Sequence, residues 1–99
     1  MTDTTCKIIE QILAVPKGKV SCYRDIALKA GLLNGVRQTV RVLHSMSEKY
    51  SLPWYRIIRS DGSIALAEGE GRELQIKLLR NEGVTVSDSG KIDMNRYGI

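Results

Sequence analysis

The chain has 99 residues, a formal net charge of +4 and a pI near 9.3. That length bounds it to one domain, residues 1–99, with a modest core, and its basic balance favours a polyanionic partner without specifying one. No stretch nears the roughly 20 apolar residues of a membrane span, the polar first residues lack a signal-peptide core, and Cys6 and Cys22 are too few for a disulfide framework and lack metal-ligand spacing, so a reduced cytoplasmic protein with no metal or cofactor is expected.

In chain order, residues 4–14 read as an amphipathic helix with Ile8, Ile9, Ile12 and Leu13 on one stripe. Pro16-Lys17-Gly18-Lys19 is a turn. Ser21 is the expected N-cap of a short helix over residues 23–30, which Gly31 stops. Asn34 is expected to cap a longer helix from residue 35 to about residue 48. Two helices joined by a short glycine-containing turn form a helix-turn-helix pattern. Residues 52–59 read as a strand. Asp61-Gly62 signals a type I′ hairpin returning through residues 63–66, which would form a wing. Glu70–Asn81 reads as the last long helix, with Leu74, Leu78 and Leu79 inward and Gly83 at its C-cap. The tail carries short β-like pieces around Ser87-Asp88-Ser89-Gly90. The expected fold class is α+β: a mostly helical winged helix-turn-helix domain with a small β-hairpin wing.

Arg37, Arg41, His44 and Glu48 recur at spacings of four, three and four, so they share one face of the longer helix. Val36, Val40, Leu43 and Met46 lie on other sides. Spacing alone reads as a solvated charged face. The functional reading is a recognition helix whose two arginines meet phosphates or a groove. Further on, Trp54 follows Pro53 in the expected strand. Such a tryptophan is more often core than ligand-binding.

The order of motifs changes that balance. Pro16, Gly18, Lys19, Val20, Tyr23, Ile26, Ala27, Ala30, Gly31 and Arg37 fall in one register. They are followed by Leu52-Pro53-Trp54, Arg56, Ser60, Gly62, Ile64, Leu78-Leu79 and Glu82-Gly83-Val84. This series resembles the DNA-binding domain of the O6-alkylguanine-DNA alkyltransferases over roughly residues 7–84. Pro53-Trp54-Tyr55-Arg56 stands where those enzymes have Pro-Cys-His-Arg. Tryptophan at the cysteine position is similar to the alkyltransferase-like proteins, non-catalytic relatives that bind the lesion and leave the alkyl group in place.

The resemblance implies a role for each matching position. Arg37 matches the arginine finger that fills the gap left by an extruded base. Tyr23 matches the tyrosine that rotates the 3′ phosphate. Gln38, Thr39 and Arg41 complete the expected DNA-contacting set. Trp54, Tyr55 and Ala67 are the expected lesion pocket. Ala67 stands where some relatives carry a base, and Val36 and Val40 replace smaller residues. An alkyl group leaves O6 by direct attack of a thiolate, which an indole cannot supply. The remaining relay positions hold Tyr55 for histidine, Met46 for asparagine and the retained Glu82, which reads as a structural acceptor for backbone or for Tyr55. The implied function is binding and flipping of O6-alkylguanine in duplex DNA without transfer, by a monomer, for nucleotide excision repair proteins to find. The rival readings are a sequence-specific winged-helix regulator and an active alkyltransferase using Cys22 or Cys6.

Overall fold

The computed structural model describes residues 2–99. Helix α1 (Asp3–Leu13) starts where the Thr2 hydroxyl accepts the Thr5 N–H at 3.1 Å, an ordinary N-cap. Ile8, Ile9 and Ile12 face inward as the periodicity predicts. Leu13 does not, and is 52% exposed. The helix ends at Leu13, and Val15, just past it, occupies the core instead.

Strand β1 (Ser21–Cys22) follows the turn and runs directly into α2 (Tyr23–Lys29). Ser21 is therefore not a cap: it is wholly buried in β1, and its hydroxyl has no partner among the described residues. Gly31 ends α2 at φ +88°, a conformation open to glycine. Helix α3 (Val36–Tyr50) starts after Gly35 rather than Asn34, with no side-chain cap. Gly35 is required by packing, because a Cβ there would lie 2.7 Å from Leu32 and 2.9 Å from Ala27. Helices α2 and α3 are thus held close, in the expected helix-turn-helix pair.

The segment expected as a strand over 52–59 is mostly something else. Trp54–Arg56 forms a 3₁₀ turn, and only β2 (Ile57–Ile58) is extended. β2 pairs in parallel with β1, Ser21 opposite Ile57 and Cys22 opposite Ile58. Successive strand residues point to opposite faces, so this short ladder divides the core. Ile57 joins Ile8, Ile12, Val15, Ile26 and Val42 on one side. Ile58 joins Val20, Ile64, Leu79, Val84, Ile92 and Tyr97 on the other.

The hairpin is present but is not type I′. The Gly62 N–H reaches the Arg59 carbonyl at 3.0 Å and the Arg59 N–H reaches Ser63 at 2.9 Å. These bonds enclose a three-residue loop. Only Gly62 in that loop has positive φ, whereas type I′ needs two such residues. The returning arm then pairs with the tail: Ser63 bridges Lys91 antiparallel, and the Ile92 N–H donates to Gly62 at 2.8 Å.

Helix α4 (Glu70–Asn81) has the predicted bounds, and Gly83 follows it at φ +91°. Its inward line is Gln75 and Leu79 rather than Leu74, which is 47% exposed. Gln75 is tolerated inside because its amide donates to the Tyr55 and Ile57 carbonyls at 3.1 and 3.4 Å. Helix α5 (Met94–Tyr97) closes the chain, and the tail then pairs beside Val20.

The docked wing makes a prediction. At Gly62 a side chain meets both a φ of +88° and the Ile92 carbonyl, whereas Gly31 has the same φ and open space. Gly62→Ala is expected to destabilise by about 2–3 kcal/mol and Gly31→Ala by about 1 kcal/mol in urea unfolding. Equal losses would show that the returning arm is not held against the tail.

Candidate nucleic-acid interface

Helix α3 carries a cationic outer face. Arg37, Gln38, Arg41 and His44 are all exposed, while Thr39 and Val42 are buried. Thr39 must leave the expected DNA-contacting set. It is wholly buried, and its hydroxyl donates to the Gly35 carbonyl at 3.0 Å. The ion pairs found among the described residues are Arg24–Asp25, Arg56–Glu82 and Arg80–Asp88, so Arg37 and Arg41 keep their charge uncommitted. The first turn of α3 also lacks acidic residues. Both facts suit a polyanion.

Beside this face opens a cavity of about 660 Å³. Its α3 wall is Val40, Leu43, His44, Ser47 and Glu48; its other walls are Tyr23, Ser51, Leu52, Trp54, Leu66 and Gln75. The volume lies in the range that takes a small organic ligand. Trp54 lines it. Tyr55 and Ala67, expected there with Trp54, do not. The Tyr55 ring meets Trp54 edge to face, with centroids 5.9 Å apart and planes at 86°, and its hydroxyl is taken by Glu82. Ala67 is exposed and outside the lining, and its neighbour Leu66, itself 37% exposed, lines the cavity instead. Leu66 and Gln75 were not singled out by sequence. Position in a loop and polarity hid them.

Tyr55 joins a cluster around Glu82. Its hydroxyl donates to Glu82 Oε2 at 2.9 Å. Arg56 grips the same carboxylate through Nε at 3.0 Å and Nη2 at 2.6 Å, and donates Nη1 to the Val15 carbonyl at 2.9 Å. The Gly18 N–H adds a bond at 3.2 Å. These Arg56 bonds, with Gly18 and Tyr55 behind them, hold the Glu82 carboxyl below the usual range despite its burial. Burial, reinforced by Glu82, pushes the Tyr55 phenol up, so it stays a neutral donor. Met46 packs on the α1–α3 core and does not line the cavity.

Tyr23 sits at the cavity edge, its phenol pushed up by burial. Arg59, an exposed cation just past β2, lies near enough for its charge to act on the Tyr23 phenol, a proximity that local sequence does not reveal. Neither cysteine lines the cavity. Cys22 is buried, and that burial raises its thiol, which lowers its thiolate fraction. Among the described residues no group of three or more His, Cys, Asp or Glu could hold a metal, and no helix is long and apolar enough to cross a membrane.

Comparison with known proteins agrees on one lineage. The family described as "6-O-methylguanine DNA methyltransferase, DNA binding domain" matches residues 3–84. A DNA base-flipping protein of Vibrio parahaemolyticus is 40% identical, over 92% of this chain and 90% of its own. Alkyltransferase-like protein 1 of Schizosaccharomyces pombe is 30% identical, over 87% of this chain and 81% of its own. The crystal structure of S. pombe Atl1 in complex with damaged DNA containing O6-carboxymethylguanine superposes with a TM-score of 0.86 at 27% identity, covering 98% of this chain and 94% of that one.

The Glu82 cluster is testable by acid. Because folding lowers the Glu82 pKa, its stabilisation is complete above the unfolded glutamate value of about 4.3 and is lost as pH falls through the lower folded value. Glu82→Gln is expected to cost about 2–4 kcal/mol at pH 7, by leaving Arg56 buried with a weakened partner. It should also flatten the fall in stability between about pH 5 and pH 3. Urea unfolding at several pH values measures both, and parallel pH slopes for the two proteins would remove Glu82 from the acid-sensitive groups.

Proposed function

The chain belongs to the alkyltransferase-like branch of the 6-O-methylguanine DNA methyltransferase DNA-binding-domain family, and from that premise we propose that it binds O6-alkylguanine in duplex DNA, turns the base into the Trp54 cavity and holds it without chemistry. The observation that carries this reading is the cavity itself. It is sized for a base, is walled by an indole at the nucleophile position and is lined by no thiol.

Extruding a base costs a few kcal/mol of stacking and pairing. Arg37, exposed and uncommitted at the start of α3, is the group proposed to enter the duplex and offset part of that loss. Its planar guanidinium can stack where the base was. Tyr23 is proposed to bear on the adjoining phosphate, with Arg59 beside it. Gln38 and Arg41 contact the backbone. Trp54 offers the extrahelical purine an aromatic wall, an interaction of about 1–3 kcal/mol per base in other systems. Transfer is not supported, because no thiol lines the cavity and Tyr55, at the base position, is bound to Glu82. The held base would mark the site for nucleotide excision repair.

Two measurements test this. A duplex with one labelled O6-methylguanine should bind at least about tenfold tighter than its guanine counterpart, with no label appearing on the protein. Stoichiometric transfer would refute the non-enzyme reading, and equal affinities would favour a general winged-helix DNA binder. Separately, Arg37→Ala should weaken lesion binding more than Arg41→Ala, with the Arg41 loss salt-dependent and similar on both duplexes. Equal losses would place Arg37 among the backbone contacts.

A further inference from the structure

We propose that the Trp54 cavity selects by charge: it admits an uncharged O6-alkyl group and disfavours an anionic one of the same size, with Glu48 setting the preference. The proposal rests on the lesion-binding reading above and names the lesion class. Among the residues lining the cavity there is no lysine or arginine. The carboxylate there is Glu48, one turn from His44 on α3. Glu48 is exposed and takes part in none of the ion pairs among the described residues. Its sequence neighbour Lys49 does not line the cavity; that ammonium lies over the Tyr50 ring, 5.4 Å from the centroid.

Much of the wall adds to the bias. Val40, Leu43, Leu52 and Leu66 give an anion nothing to replace its water, and the Ser47 hydroxyl and Gln75 amide already donate to backbone carbonyls. Leu66 is fixed in place, since Arg72 Nη1 holds its carbonyl at 3.2 Å while Nη2 holds Ser89 at 2.9 Å. That guanidinium is committed to two backbone carbonyls and does not line the cavity. An anionic adduct therefore meets desolvation and an uncompensated carboxylate together. A neutral adduct of equal shape meets neither. The S. pombe complex contains O6-carboxymethylguanine, whose carboxylate is charged at neutral pH, so the two relatives would differ on this lesion.

The test uses an isosteric pair. Duplexes carrying O6-carboxymethylguanine, its neutral amide O6-carbamoylmethylguanine, or guanine are titrated against wild-type protein and Glu48→Gln. Wild type is expected to bind the amide about tenfold tighter than the carboxylate, and Glu48→Gln to reduce that ratio to about threefold or less. Removing a surface negative charge strengthens binding to every duplex, and the ratio cancels this general term. Equal wild-type affinities for the two adducts, or a ratio unchanged in Glu48→Gln, would overturn the proposal. If neither adduct outbinds guanine, the lesion-binding reading falls and this one falls with it.

Discussion

The grip of Arg56 on Glu82 is the contact around which the site is arranged. Two short charge-assisted bonds join the 3₁₀ turn to the end of α4. A third Arg56 bond, to the Val15 carbonyl, and the Gly18 N–H on Glu82 bring in the turn after α1. Three segments distant in sequence thus meet at one buried ion pair. Removing either partner would leave a charge without its counterpart, which is why such pairs are hard to lose one side at a time. Gly18 holds a φ of +83°, open to glycine, and its N–H donates to the Glu82 carboxylate.

That pair also fixes which way the rings face. Tyr55 is drawn to Glu82, and Trp54, one residue earlier, is left to line the cavity. In a reactive relative the same adjacency would serve a nucleophile and its base. Here the acid that survives from that arrangement holds the scaffold together, and the adjacent ring walls a space. The carboxylate's structural partners, Arg56 and Gly18, hold this shape without calling on any chemistry at the site.

Much of this was legible in the sequence, for reasons that differ by residue. α4 was bounded correctly because glycines flank a strong helical pattern. Glu82 reads, from its place in the family pattern, as an acceptor for backbone or for Tyr55, and it accepts from both, while the Arg56 grip had no local signal. The helix-turn-helix pair follows from Gly31 and the short turn after it, although the cap expected at Asn34 falls at Gly35. Failures cluster where a non-local partner overrides a local preference. Ser21 looks like a cap, but the parallel pairing with Ile57 draws it into a strand. Thr39 looks like a surface hydroxyl on a basic helix, but its place on α3 faces the core, and a bond to Gly35 makes that burial affordable. Leu74 outranks Gln75 on hydrophobicity, yet Gln75 has two carbonyls to satisfy and Leu74 has none. Asp61-Gly62 signals a turn correctly, but its type depends on where the returning arm goes, and that arm goes to Lys91.

The placement of Val20 has a consequence for the order in which the molecule is made. Its N–H donates to the Tyr97 carbonyl at 2.9 Å and its carbonyl accepts from the Ile99 N–H at 3.1 Å, while the next two residues pair with Ile57 and Ile58. The stretch leading into Tyr23 is therefore held on both sides by residues translated long after it. Loops of this length close slowly relative to local helices. On a ribosome, α1, α2 and α3 can form early from nearby contacts. The ledge that positions Tyr23 beside the cavity must wait for residues 97–99 to emerge.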